Sequence, residues 1–99
     1  MIGKEEILAF LKEHKHELFS THQLVKLGLF GSFARNEHTE KSDIDLIIEF
    51  QPNTENISEK KLKLKTFVEH QFNINVDLCR EKYIKPYFKS HILKSTIYV

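Results

Sequence analysis

The chain has 99 residues, 40% of them hydrophobic and eight of them phenylalanine, which predicts one small domain over residues 1–99 able to bury about two-thirds of its unfolded surface. Fifteen basic and fourteen acidic residues leave a net charge of +1, without the broad basic field of a nucleic-acid binder, so no direct nucleic-acid partner is expected. A lone cysteine, Cys79, excludes an internal disulfide and fits a reducing cytosol; charged Lys4, Glu5 and Glu6 stand where a targeting segment would need apolar residues, and no stretch reads as a membrane span, so a cytoplasmic protein is expected.

Periodicity predicts a helix over residues 3–18, with Ile7, Leu11, His14 and Leu18 as one stripe and Phe10 beside it. Leu24 to Phe30 reads as a strand, Ser32 to Asn36 as a helical turn, and His38 to Ser42 as an exposed loop. A second strand is predicted over residues 43–50, and Pro52, Asn53 and Asn56 then punctuate a turn. Asn56 with Glu59 marks the start of a helix over 57–72, striped by Leu64, Phe67, Val68 and Phe72. Its outer face carries Lys60, Lys61, Lys63 and Lys65, which reads as a solvated surface, with a partner or RNA contact as the sharper alternative. Residues 73–79 alternate, with Ile74, Val76 and Leu78 on one face and Asn75, Asp77 and Cys79 on the other. Lys82 to Leu93 reads as a helix with Pro86 near its start, and Ser95 to Val99 as a closing strand. Apolar strand faces and apolar helix stripes together predict an α/β fold: a small mixed sheet with helices packed on one face and the aspartates on the other.

The chemistry concentrates between Leu29 and Phe50. Asp43 and Asp45 lie one pleat apart, at roughly 6.5–7 Å between Cα atoms, so both carboxylates project from one face. At that spacing they can converge on divalent cations. Gly31 and Ser32 offer backbone amides and a hydroxyl where a strand gives way to a helical turn, a place suited to phosphate. Asp77 supplies a third acid from the polar face of another strand. Three acids crowded together should raise one another's pKa values. Arg35, three residues after Ser32, can reach phosphate oxygens or pair with a neighbouring acid, and Lys41 reads as a solvated loop lysine. The six histidines show no ligand spacing: His14 and His16 are two apart, and the rest are scattered.

Gly31-Ser32, a spacer of ten residues, and the triplet Asp43-Ile44-Asp45 resemble the signature of the DNA polymerase β-like nucleotidyltransferase superfamily. The wider wording, from GSFARNE to SDIDLIIEF, resembles its minimal nucleotidyltransferase (MNT) group, and Val76-Asp77-Leu78 matches the strand that carries a further acid. Asn36 stands where many members have glycine, which implies a left-handed backbone that Asn also tolerates. The resemblance implies a polymerase β-like fold with Asp43, Asp45 and Asp77 as catalytic and metal-holding residues for two Mg²⁺ ions. It implies nucleotide binding by Gly31, Ser32 and Arg35, with ATP as substrate. It further implies an antitoxin that transfers AMP to a hydroxyl side chain of a HEPN toxin partner. A non-catalytic antitoxin and a small-molecule nucleotidyltransferase stay open beside this reading, as does self-association.

Overall fold

The computed structural model describes residues 2–99; Met1, the first residue of the expected 1–99 unit, lies outside the described residues. Four strands form one mixed sheet: β1 (Leu24–Phe30), β2 (Ile44–Phe50), β3 (Val76–Arg80) and β4 (Ile97–Tyr98), in the order β3-β2-β1-β4. β1 pairs antiparallel with β2 and β4, and β2 pairs parallel with β3 through the crossover helix α4 (Ile57–Phe72), as a parallel pair requires. The expected α/β fold with a small mixed sheet is the observed one.

Ile44, Leu46, Ile48 and Phe50 alternate along β2 into the main core, against Leu27 and Leu29 of β1 and Leu64 and Val68 of α4. Ile7, Phe10 and Leu11 of α1 (Lys4–Glu13) and Leu18 of α2 (Lys15–His22) complete it. The predicted helix 3–18 is therefore two helices, broken at His14, whose φ of −99° and ψ of 8° leave the helical range. The break keeps the Leu18 N–H bonded to the His14 carbonyl at 2.8 Å and re-aims the second helix so that Leu18 and His22 are both buried. The His14 ring takes up the turn by packing against Phe10 and Phe67 at centroid distances of 4.6 and 5.4 Å. Asn56 does precede α4, but its backbone is left-handed (φ 56°) and its side chain does not cap the helix. The strand expected from residue 73 begins at Val76, because Asn73 ends α4 in a left-handed conformation.

The opposite sheet face carries Asp45, Ile47 and Glu49 of β2 and is partly covered. Ile47 is fully buried outside the main core, the 3₁₀ turn Glu81–Tyr83 packs on β2, and α5 (Pro86–Ser95) packs on β1 and on α3 (Gly31–Ala34). Pro86 takes the first turn of α5, where a missing N–H costs nothing. On the lysine face of α4, Lys63 and Lys65 pair with Glu59 and Glu69 one turn earlier or later.

Glu49 ties β2 to β3. It accepts from Arg80 Nε at 3.1 Å and Nη2 at 2.8 Å, from the Phe50 N–H at 3.0 Å and from the Lys82 N–H at 3.2 Å. These donors hold its carboxyl below the usual range even though burial pushes the other way. Glu49→Gln leaves the largely buried guanidinium without its counter-charge, and is expected to cost about 2–3 kcal/mol in urea unfolding. A loss under about 0.5 kcal/mol contradicts the role given to this pair.

Candidate active site

Register places the motif residues in one row. Phe30, the residue before Gly31, is the partner of Asp45 across β1–β2, and Asp45 is the partner of Asp77 across β2–β3. Adjacent strands are about 4.8 Å apart, so the row brings the turn after β1, a central carboxylate and an edge carboxylate side by side. Asp43 sits just before β2, at the mouth of the same row, and is exposed, as is Asp77; Asp45 is half-buried.

Gly31 has a φ of +75°, and a Cβ there would stand 2.9 Å from Asp45 Cγ. A side chain at 31 is thus excluded twice, by backbone conformation and by the carboxylate it would meet. Ser32 follows inside the short α3, whose turn is closed by the Arg35 N–H on the Gly31 carbonyl at 3.2 Å and the Glu37 N–H on the Ser32 carbonyl at 2.8 Å. Asn36 adopts the left-handed conformation expected of it (φ 57°). Arg35 bonds Glu37 at 2.8 Å through Nε and still lies near enough to Asp45 to oppose its protonation.

Asp45 carries the electrostatic load. Burial raises its pKa most, the charges of Asp77 and then Asp43 add to it, and the carboxyl is pushed up from 3.8 to about 6. Of the expected crowding, the effect of Asp77 and Asp43 on Asp45 is the part observed, and among the described residues no three His, Cys, Asp or Glu side chains are yet drawn together as a metal-holding group. An all-carboxylate set without His or Cys suits a hard cation, and Mg²⁺ commonly takes one or two carboxylates, completing its shell with waters and phosphates. The residues fit that ion.

The ties within the loop that delivers Asp43 lie outside the motif read from the sequence. The Thr39 N–H bonds Ser42 Oγ at 2.8 Å, the Lys41 N–H bonds Thr39 Oγ1 at 3.2 Å and the Ser42 N–H bonds the Thr39 carbonyl at 3.1 Å. Thr and Ser at the two ends of a four-residue turn are the signal for them. His38 stacks on Phe33 at 4.3 Å and 12°, with Nδ1 buried and unpartnered. This packing holds the loop against α3.

With the geometry in view, comparison with known proteins places the chain. Residues 7–99 match the nucleotidyltransferase domain family, and the chain belongs to it. It is 39% identical over 95 residues to a provisionally named protein adenylyltransferase of Methanocaldococcus jannaschii, covering 95% of each chain. It is 30% identical over 99 residues to the protein adenylyltransferase MntA of Thermococcus cleftensis, covering 100% of this chain and 98% of the relative. A provisionally named minimal nucleotidyltransferase has the same fold at a TM-score of 0.78 and 28% identity, covering 97% and 95% of the two chains. A toxin–antitoxin crystal structure with AMP-PNP shares the fold at 0.66 and 18% identity, covering 88% and 70%. The polymerase β-like minimal nucleotidyltransferase fold and membership in this enzyme family are therefore established together.

Two outcomes test the site. Because the folded chain keeps a proton on Asp45 that the unfolded chain has released, ionising Asp45 costs stability as pH rises from about 4 to about 6, and the whole cost is present above that. Metal-free Asp45→Asn is expected to melt above the parent protein at pH 7.5, with the gain shrinking towards pH 4.5; a gain independent of pH contradicts the crowding. Gly31→Ala is expected to remain folded by circular dichroism, to lose about 1–3 kcal/mol to strain and to lose ATP binding by calorimetry as Asp45 is displaced. A folded Gly31→Ala protein with unchanged ATP affinity would reduce this turn to a structural element.

Proposed function

We propose that this chain is a Mg²⁺-dependent adenylyltransferase that moves AMP from ATP onto a hydroxyl side chain of a protein partner, a HEPN-type toxin, and so acts as an antitoxin in the cytoplasm. The observation that carries the proposal is the row formed by Gly31, Asp45 and Asp77, with Asp43 at its mouth. In this reading Gly31 and Ser32 accommodate the triphosphate, Arg35 exchanges its exposed pairing with Glu37 for phosphate oxygens, and the three aspartates hold two Mg²⁺ ions. Bound there, Mg²⁺ would supply charge stabilisation at the phosphorus under attack and at the leaving oxygens. The acceptor oxygen bonds to the α-phosphorus, the bond to pyrophosphate breaks, and the hydroxyl proton is released.

Support for a protein acceptor comes from the relatives. Relatives covering nearly the whole chain are named protein adenylyltransferases, and an MntA occurs with its partner in a toxin–antitoxin structure of the same fold.

Incubation with ATP, Mg²⁺ and a HEPN-type partner protein should add the mass of AMP to that protein. Asp43→Asn/Asp45→Asn should slow the transfer by about a thousandfold or more, since metal stabilisation of phosphoryl charge is worth several kcal/mol. If the doubly substituted chain silences the toxin as well as the parent does, with no AMP added, the protein is a non-catalytic antitoxin. Transfer to an aminoglycoside-like small molecule but to no protein would assign the other class.

A further inference from the structure

All fourteen acidic residues precede Lys82. From Lys82 to the last residue there are four lysines, at 82, 85, 89 and 94, and none of the opposite sign. The same stretch holds Tyr83, Tyr87 and Phe88, which are 68%, 77% and 47% exposed and make up half of the large hydrophobic side chains left in solvent among the described residues. Tyr87 and Phe88 lie against each other at a centroid distance of 4.2 Å, while Tyr83 is flanked by Arg80 at 5.0 Å and Lys82 at 5.3 Å. The main core does not use these rings: Tyr83, Tyr87 and Phe88 are absent from it and from its partly buried fringe, and of the three Tyr83 alone lies against the Arg80 guanidinium. Exposed aromatics interspersed along the chain with lysines that make no ion pair among the described residues form a surface whose apolar area the fold itself leaves uncovered.

We infer that residues 82–94, which run from within the 3₁₀ turn through most of α5, form the docking surface for an acidic segment of the protein acceptor, Glu81 at the start of the turn being already paired with Lys26. The inference rests on the adenylyltransferase reading for its purpose, and on charge complementarity and position for its content. Position comes from α5, which packs on α3, the turn that carries Gly31 and Ser32. A partner held on α5 is thereby held beside the candidate active site.

Charge decides the class of partner. RNA carries a negative charge on every nucleotide, and a strand long enough to lie on α5 and enter the site must also cross the face of Asp43, Asp45 and Asp77. A protein can set its acids against Lys85 and Lys89, one helical turn apart, and present a neutral hydroxyl to the carboxylates. Aromatic anchors with a charged rim are also the ordinary make-up of a protein interface.

The test uses a random copolymer of glutamate and tyrosine as the acidic, hydroxyl-bearing probe, and Asp43→Asn/Asp45→Asn protein so that binding is read without turnover. Fluorescence anisotropy should show salt-sensitive binding that weakens at least about tenfold in Lys85→Glu/Lys89→Glu and, independently, in Tyr87→Ala/Phe88→Ala. In the otherwise unaltered chain, the same substitutions should leave affinity for ATP with Mg²⁺ unchanged by calorimetry. Copolymer binding that is absent, or indifferent to both substitutions, overturns the inference. So does tighter binding of a single-stranded RNA of matched charge, or a self-associated form by sedimentation that the substitutions dissociate. If the copolymer binds as described but no acceptor ever gains AMP, the surface stands and the catalytic reading falls.

Discussion

β2 can occupy one register only, and the rest of the molecule depends on it. Its apolar residues Ile44, Leu46, Ile48 and Phe50 fill the core from one face, so a slip by one residue would drive Asp45 and Glu49 into that core and eject four large side chains. With the register fixed on both sides of β2, Asp45 necessarily faces the end of β1 and Asp77, the one acid of β3. The end of β1 must then yield to the Asp45 carboxylate, and a glycine in a left-handed conformation is the residue that yields. Packing on one face of the sheet thus determines the geometry of the site on the other.

The same strand treats its two acids in opposite ways. Glu49 is met by a guanidinium and two backbone N–H groups, and its carboxyl is held below the usual range despite burial. Asp45, four residues earlier on the same face, receives two like charges, opposed by Arg35 alone, and is pushed up to about 6. Burial is present at both positions, so the supply of positive partners makes the difference. One acid is a finished structural joint. The other carries an unrelieved cost, which the proposed cation would relieve.

Much of this is legible in the sequence because β2 alternates so regularly. Its period alone sets Asp43 and Asp45 on one face, and Asn36 signals its own left-handed turn. Strand β1 and helix α4 can be read to the residue, since their apolar patterns are long and bounded by turn residues. The break at His14 is not legible, because Ile7, Leu11 and Leu18 continue one stripe across it and only the approach of Phe10 and Phe67 turns the chain there. The late start of β3 is hidden for a related reason: Asn73 belongs to the helix end, although the alternation of the sequence includes it. The cover over Ile47 and the loop ties of Thr39 and Ser42 come from tertiary contact and short side-chain bonds, to which hydrophobic period is blind.

The cost held at Asp45 also bears on how ligand binding and folding are coupled. A group that binds only the folded chain stabilises it by RT ln(1 + [L]/Kd), about 2.7 kcal/mol at a hundredfold excess over Kd. Relief of the repulsion that Asp77 and Asp43 exert on Asp45 would enter that expression through Kd, lowering it for a cationic ligand. The surrounding loop is already set by the Thr39–Ser42 turn and the His38–Phe33 stack, so the relief is not offset by the cost of ordering it. The loop and the turn are therefore set before any ligand arrives, and on the proposed function a cation with its nucleotide would remove the charge crowding at Asp45.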